Sequence, residues 1–571
     1  MSATGLSDAA IVRTLIRLSV SGALIAVVGL LVIVPFLTIV ATSFLSGLPF
    51  SGDKNLTWTL ANYATLWRPA LGEAIVNTLI VSVGGTAMAM AIGCGLAWLA
   101  ARTDVPFKPL VHLAGVMPLF MSLVVASVTW SFLGSGRSGY LNIIFTSLGL
   151  PFSVETQSLA GIVFVHGLYY VPYPFIFLYS ALTLVHPDLE EAAAVHGGNL
   201  PRTLSRITFP LVKPAFIGSL LLIFVAMIEE FPVPQVLGAP VGIETLSIHI
   251  YKLITRIPSE PNQAGAVSIL LTAIVCVLVY TQRRVLRGRD YRTVTGKGMQ
   301  RRVIPLGRLK GLAAAFVMLY AFIALGLPIL CLIAGALRSN LYIANVAAFF
   351  DPDQLSLRHL IAAVSSPVVQ RAFVNSLTAG IATAFFGGAL YFAVAYVVHR
   401  TDLPGRQVLE YMAMVPLALP ALVMGLGILW TWLAMPIPVY GTMAVLVIAF
   451  VGRFMPQGYR AISSSISQIH DDLEEAAMVA GASRTTAVRR ITLPLMRGAI
   501  VSSAFLMVVL GMRELTASLF LYTTNTRVLS IVIYEAYDSG FWTSVASISL
   551  IYTALLGLMT AIGRRWMRAD L

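Results

Sequence analysis

Between Leu18 and Gly52 the chain carries no ionisable side chain. About 20 apolar residues are enough to cross the hydrocarbon layer of a bilayer, so a run of this length belongs in lipid. A cleavable export signal has a much shorter apolar core. Similar runs recur along the sequence. One set of six lies at 20–45, 74–101, 109–133, 159–184, 214–236 and 264–283, and a second at 311–336, 372–398, 408–432, 439–465, 499–520 and 542–564. Hydrophobic residues make up 58% of the 571 and charged residues only 11%, a balance that no soluble core requires. The expected fold is an all-α membrane protein of about twelve transmembrane helices.

The formal net charge of +13 would point to nucleic acid in a soluble protein, but here its distribution argues otherwise. The segment Thr281–Lys310, "TQRRVLRGRDYRTVTGKGMQRRVIPLGRLK", holds ten Arg and Lys residues against one acid, Asp290. Such a segment marks a loop kept in the cytoplasm. With six spans on either side, both termini fall on the same side, in agreement with Arg13, Arg17, Arg564, Arg565 and Arg568. No nucleic-acid partner is expected. The lipid bilayer is the partner that the composition demands.

The two sets of spans are copies. "ARTDVP" at Ala101 returns as "HRTDLP" at His399, displaced by 298 residues, and "LSIHIY" at Leu246 returns as "LSIVIY" at Leu529, displaced by 283. The shortened displacement places about fourteen extra residues in the loop after the third span of the first copy. Six spans per copy make the repeats parallel, related by an axis along the membrane normal. The expected units are 1–285, a basic linker 286–310, and 311–571.

Between the fourth and fifth spans of each copy lies a polar stretch that also repeats: "LEEAAAVHGGNLPRTLSRITFPLVKP" from Leu189 and "LEEAAMVAGASRTTAVRRITLPLMRG" from Leu473. Asp188 with Glu191, and Asp472 with Glu475, have the spacing of a capping box that opens a short helix. Gly197 and Gly481 are placed to take the positive φ that ends it. A second short helix is expected next, with Leu204, Ile207, Val488 and Ile491 as its apolar edge and Arg202, Arg206, Arg489 and Arg490 as its basic one. Pro210 and Pro494 should then break the helix before the next span. A plain chain reversal needs none of this, so each stretch reads as a docking element.

The spacing Glu-Ala-Ala, three residues, Gly, nine residues, Ile-x-Leu-Pro resembles the "EAA" signature of inner-membrane permeases from binding-protein-dependent ABC importers. Glu475, Ala476, Ala477, Gly481, Ile491, Leu493 and Pro494 match it throughout. Glu191, Ala192, Ala193, Gly197, Ile207 and Pro210 match it in the first half, where Phe209 replaces the leucine. The resemblance implies a type I permease fold in the bacterial inner membrane and an extracytoplasmic substrate-binding protein. It also implies two copies of an ATP-binding subunit, seated on coupling helices that include Glu190 and Glu474. ATP and Mg would be used by that partner. The chain has no G-x-x-x-x-G-K-[ST] loop, and "TGKG" at Thr295–Gly298 lacks the flanking residues that cradle phosphate. No bound cofactor and no metal site are expected. Cys94, Cys276 and Cys331 lie apart in apolar segments as packing residues, and the eight histidines show neither metal-ligand spacing nor a hydrolase constellation.

Ionisable groups inside spans usually serve a pathway or a pair. Glu229 and Glu230 in "MIEEFPVP", and Arg513 and Glu514 in "GMRELTAS", fall at equivalent points of the fifth and eleventh spans. They are candidate path residues for a cationic or metal-containing substrate. The alternative is an ion pair of Arg513 with Glu229 or Glu230. Tyr169, Tyr170 and Tyr173 in the fourth span read as interface anchors. Two halves in one chain, with "YRTVTGKG" after the sixth span, resemble permeases of the ferric-iron group, whose relatives also handle thiamine, 2-aminoethylphosphonate and polyamines. Iron(III) is the first choice of cargo, although Glu230, Phe231 and Pro232 stand where several of those permeases have Asp-Phe-Gly. An ion-coupled secondary transporter also fits two parallel sixes, but it has no ATPase to seat on a duplicated docking element.

Overall fold

The computed structural model describes residues 19, 21–50, 55–197, 199–286, 303–343, 345–349 and 351–569. Among these the chain is helical, with isolated β-bridges such as the one between Thr103 and Ile304. Eight helices are long and apolar enough to cross a membrane unaided: Ser21–Ser43, Pro69–Arg102, Leu159–Leu184, Leu204–Ile228, Pro261–Val285, Gly307–Ala336, Pro367–Arg400 and Trp542–Gly563. The other four expected spans are interrupted. Three are bent pairs: Lys108–Phe120 with Leu123–Gly134 at 102°, Arg406–Leu417 with Ala421–Ala434 at 113°, and Arg484–Leu495 with Arg497–Arg513 at 72°. The tenth span is Met443–Arg453, continued after Phe454 by Met455–Ile466.

Proline explains the sharpest bends. Pro118 lies in the tight turn Met117–Phe120, after which Met121 and Ser122 are extended. Pro416 and Pro420 bracket the break of the ninth span, where Pro420 has ψ 142°. Each proline withdraws a backbone donor and clashes with the preceding turn, so the helix stops and restarts in a new direction.

The first helix of each half crosses to the other half. Ser21–Ser43 packs along Ala421–Ala434. The two come so close that a Cβ on Gly427 would sit 2.5 Å from the Pro35 carbonyl oxygen, and Thr38 and Thr431 share a hydrogen bond of 3.0 Å. In turn the seventh span packs on Leu123–Gly134, and Tyr320 donates to the Leu168 carbonyl at 3.0 Å. This exchange of first helices binds the two copies into one bundle.

The chain entering the seventh span is also stitched to the first half. The Ile304 N–H donates to the Arg102 carbonyl at 2.8 Å and the Asp104 N–H to the Ile304 carbonyl at 3.3 Å. The Asp104 carboxylate accepts the Leu306 N–H at 2.8 Å and faces the Lys310 ammonium at 2.7 Å. Lys310 and the Leu306 N–H together hold the Asp104 carboxyl below the usual carboxylate range. The matching loop of the second half meets the first span instead, where Ser21 donates to the Pro404 carbonyl. Most of the basic run between the halves, residues 287–302, lies outside the described residues. Replacing Asp104 with alanine is expected to speed exchange of the Leu306 amide hydrogen about tenfold while the spans keep their protection. Unchanged exchange would mean that the stitch does not hold.

Candidate functional site

Each repeated polar stretch folds as a helix, a glycine turn and a second short helix. Pro187–Val195 is followed by Gly197 at φ +77° and Leu200–Thr203. Asp472–Val479 is followed by Gly481 at φ +90° and Arg484–Ala487. Nothing would obstruct a Cβ at either glycine, so the backbone conformation alone requires glycine there.

Two local expectations are corrected. The capping box of the second half does not form, since Asp472 is already inside its helix and Asp471 precedes it without a side-chain cap; in the first half Asp188 follows Pro187 into the first turn. Proline in the first turn needs no cap for its missing N–H, and the Asp471 carboxylate is engaged by Arg400. Nor do the prolines end the second helix. Leu204–Thr208 and Val488–Thr492 are wide i→i+5 turns, which absorb the donor missing from Pro210 and Pro494. In the first half the helix then runs unbroken to Ile228. In the second half the bend comes later, at Met496. The fifth and eleventh spans therefore begin and end earlier than their hydropathy implies.

The paired glutamates of each stretch diverge. Glu190 and Glu474 are buried at 3% exposure and point into the protein, not towards a partner. The Arg102 guanidinium lies 3.2 Å from Glu190, which also accepts from Thr208 at 2.7 Å. Glu474 accepts from Tyr396 at 2.8 Å and from Thr492. These contacts bolt each loop to the end of the second or eighth span and to the start of the fifth or eleventh. Glu475 is exposed, whereas the side chain of Glu191 lies outside what is described. Ala192, Gly197 and Pro210 are exposed and Ala193 and Ile207 half-buried, and Ala476, Gly481, Pro494, Ala477 and Ile491 repeat the pattern. Sequence reasoning passed over the apolar tips. Val195 is 84% exposed and Val479 90%, equivalent positions that show a hydrophobic surface outside the spans. Arg102 and Tyr396 were hidden inside spans.

A second cluster lies where the fifth and eleventh spans end. Glu229 receives Arg453 of the other half at 2.7 Å, and the same guanidinium reaches the Pro416 and Leu419 carbonyls at 3.3 Å each. Arg513 donates instead to the Met121 carbonyl at 3.0 Å. Of the two readings for these residues, the ion pair of Arg513 with Glu229 or Glu230 is therefore replaced by Arg453–Glu229. Residues 229 and 513 are equivalent, and each faces the broken span of the opposite half. An arginine inside the tenth span was itself a signal, missed because only the carboxylate pairs drew attention. Glu230 accepts from Tyr170 at 2.6 Å. Tyr169 and Tyr170 are buried at 3% and 6%, so they are bundle residues and not interface anchors. Glu514 accepts the Ala517 N–H at 2.8 Å. The backbone carbonyls of Glu230 and Glu514 accept from the equivalent serines Ser247 and Ser530, at 2.6 and 2.7 Å. Among the described residues no group of three His, Cys, Asp or Glu side chains is placed to hold a metal ion.

Beyond this cluster, away from the docking loops, the halves close on one another. The equivalent Tyr251 and Tyr534 hydroxyls are 3.5 Å apart, Gln235 donates to Tyr534 at 3.1 Å, and Tyr537 donates to the Val236 carbonyl at 2.9 Å. Towards the loops a cavity of about 1030 Å³ remains between the halves.

Two pseudo-equivalent bundles, closed at one end and open at the end that presents two anchored docking loops, define a transport permease of the ABC importer class. The chain belongs to the binding-protein-dependent transport system inner membrane component family, whose model matches residues 85–289 and 400–569, once in each half. It is 26% identical to a ferric transport system permease protein of Actinobacillus pleuropneumoniae over 94% of this chain and 77% of that one. It is 24% identical to an Fe(3+)-transport system permease protein of Haemophilus influenzae over 94% and 96%. A spermidine/putrescine transport system permease protein of Haemophilus influenzae is 28% identical over 44% of this chain and 88% of its own length. A solved bacterial ABC transporter involved in alginate import aligns with 46% of the chain at a TM-score of 0.37 and 18% identity.

The two anchors differ in charge. Glu190→Gln is expected to cost about 3 kcal/mol, because it removes the negative member of a buried ion pair. Glu474→Gln is expected to cost about 1 kcal/mol, because hydroxyl donors still find an amide oxygen. Unfolding of the purified variants in lipid nanodiscs measures both, and equal losses would contradict this assignment.

Proposed function

We propose that the chain is the pore of an ATP-driven importer that passes iron(III) from an extracytoplasmic binding protein to the cytoplasm. The observation that supports the motor assignment best is the matched pair of loops. Each is anchored internally through Glu190 or Glu474 and turned on a glycine of positive φ, with Val195 or Val479 left bare. Two identical ATP-binding subunits would seat on them, against Glu191, Ala192, Ala193, Gly197, Ile207 and Pro210 in one half and Glu475, Ala476, Ala477, Gly481, Ile491 and Pro494 in the other. ATP and Mg would be bound and used by those subunits. In this reading the loops and both termini face the cytoplasm, and the functional units are 1–285 and 311–571 with 286–310 between them.

For the cargo, Glu230 and Glu514 supply negative charge at the waist between the halves, beside the Glu229–Arg453 pair. They make no chelating cage, which suits passage, since a path must release what it attracts. The two iron-permease relatives support iron(III). The same carboxylates would suit a polyamine, as the third relative's name allows.

Expression of the chain with its ATPase and binding protein in cells lacking their own iron(III) importers tests the cargo. Uptake of radiolabelled iron(III) is expected to appear and to fall at least about tenfold in Glu229→Gln. Uptake of spermidine without iron would overturn the iron assignment. Gly481→Val tests the motor: ATP hydrolysis by the assembled complex should lose its dependence on loaded binding protein while the membrane bundle stays folded.

A further inference from the structure

The cavity on the docking-loop side has an unusual lining. Arg283 and Arg284 come from the end of the sixth span and Arg460 from the continuation of the tenth, so both halves contribute. The remaining wall is largely apolar and aromatic, including Phe177, Leu222 and Tyr280. Among the described residues no carboxylate lines it, and Glu410, next to the lining Tyr411, is not part of the wall. Like charges converging without an acid in a cavity repel one another unless an anion joins them.

The side on which the cavity opens decides what kind of anion fits. Tyr280 is 65% exposed and Val277, one turn before it, 64%, and Cys276 beside them is exposed as well. That stripe faces outward along a span, where the surrounding medium is acyl chain. A free anion would gain from the three guanidinium groups but not from the apolar wall. An amphiphile gains from both. Basic pockets between transmembrane helices are recognised by phospholipid head groups in this way, and arginine favours phosphate through its fork of donors.

We propose that this cavity is a binding site for an anionic phospholipid, with its phosphate among Arg283, Arg284 and Arg460 and an acyl chain along Phe177, Leu222 and Tyr280. The lipid enters sideways from the bilayer and fills the gap between the halves on the docking-loop side. Its binding does not depend on which cargo the permease carries, so failure of the iron assignment leaves the site untouched.

The full chain, purified in mild detergent and exchanged into nanodiscs, provides the test. Native mass spectrometry is expected to find phosphatidylglycerol retained on the wild type, and at least about tenfold less on the triple variant R283Q/R284Q/R460Q. Equal retention by both would overturn the proposal. The wild type alone supplies a second measurement that no folding defect can confuse. Its melting temperature should be higher in phosphatidylglycerol nanodiscs than in phosphatidylcholine ones. Indifference to lipid charge would sink the idea. A third arm adds inorganic phosphate. If it stabilises the phosphatidylcholine sample as well as the anionic lipid does, the site takes a free anion and the phospholipid assignment is wrong.

Discussion

A helix broken inside a membrane leaves backbone carbonyls where no water can satisfy them. In this chain the breaks of the third and ninth spans meet that demand with an arginine. Arg513 reaches across the bundle to the Met121 carbonyl at the break of the third span. Arg453 holds the Pro416 and Leu419 carbonyls at the break of the ninth and is itself neutralised by Glu229 of the first half. Each break is thus secured, directly or through one intermediary, from the end of the opposite half's fifth or eleventh span. Separating the halves at this level would part Arg513 from the Met121 carbonyl and Arg453 from the Glu229 carboxylate in a medium that cannot solvate them, which is costly. The waist of the transporter is held by that prohibition as much as by packing.

The same logic, applied at the docking loops, explains why each motif begins with two glutamates and not one. The first of each pair is turned inward, where it fastens the loop to the ends of two spans. Only then does the rest of the motif become a rigid surface, because a short helix outside the bilayer has little stability of its own. The halves solved this differently. Arg102 and Arg400 are equivalent, yet Arg102 reaches Glu190 while Arg400 engages Asp471 and leaves Glu474 to Tyr396. One loop is held by a buried ion pair, the other by hydroxyl groups. The two loops are therefore attached to the bundle with unequal stiffness.

Span number, the duplication and the docking loops were legible because they rest on composition and on repetition, which survive without any knowledge of packing. The positive φ of Gly197 and Gly481 was legible for the same reason: a glycine at the end of an alanine-rich helix has few other uses. Helix ends were not. Pro210 reads as a stop in any one-dimensional scan, and the wide turn at Leu204–Thr208 that admits it is a property of the folded backbone. The capping box of the second half failed because its helix opens one residue early, at Asp472, and the Asp471 before it is engaged by Arg400, which lies 71 positions earlier in the sequence. Arg453 was visible as a charge in a span, but its partner 224 residues away could be named only once the halves were brought together.

Fusion of the two copies also has a mechanical consequence. The chain that follows the linker pairs with Thr103 and places Ile304 on the Arg102 carbonyl, two residues from Asp104. The side chain of that same Arg102 anchors the first docking loop through Glu190. The turn beside the second loop meets Ser21 and Ile25 of the first span. A pull on the first loop is thus transmitted to the entry of the seventh span through one residue's backbone and side chain, whereas among the described residues the second loop shows no such contact with the chain entering the seventh span. Joining the copies in one polypeptide has made the two sides of a pseudo-symmetric machine mechanically distinct at the point where force enters.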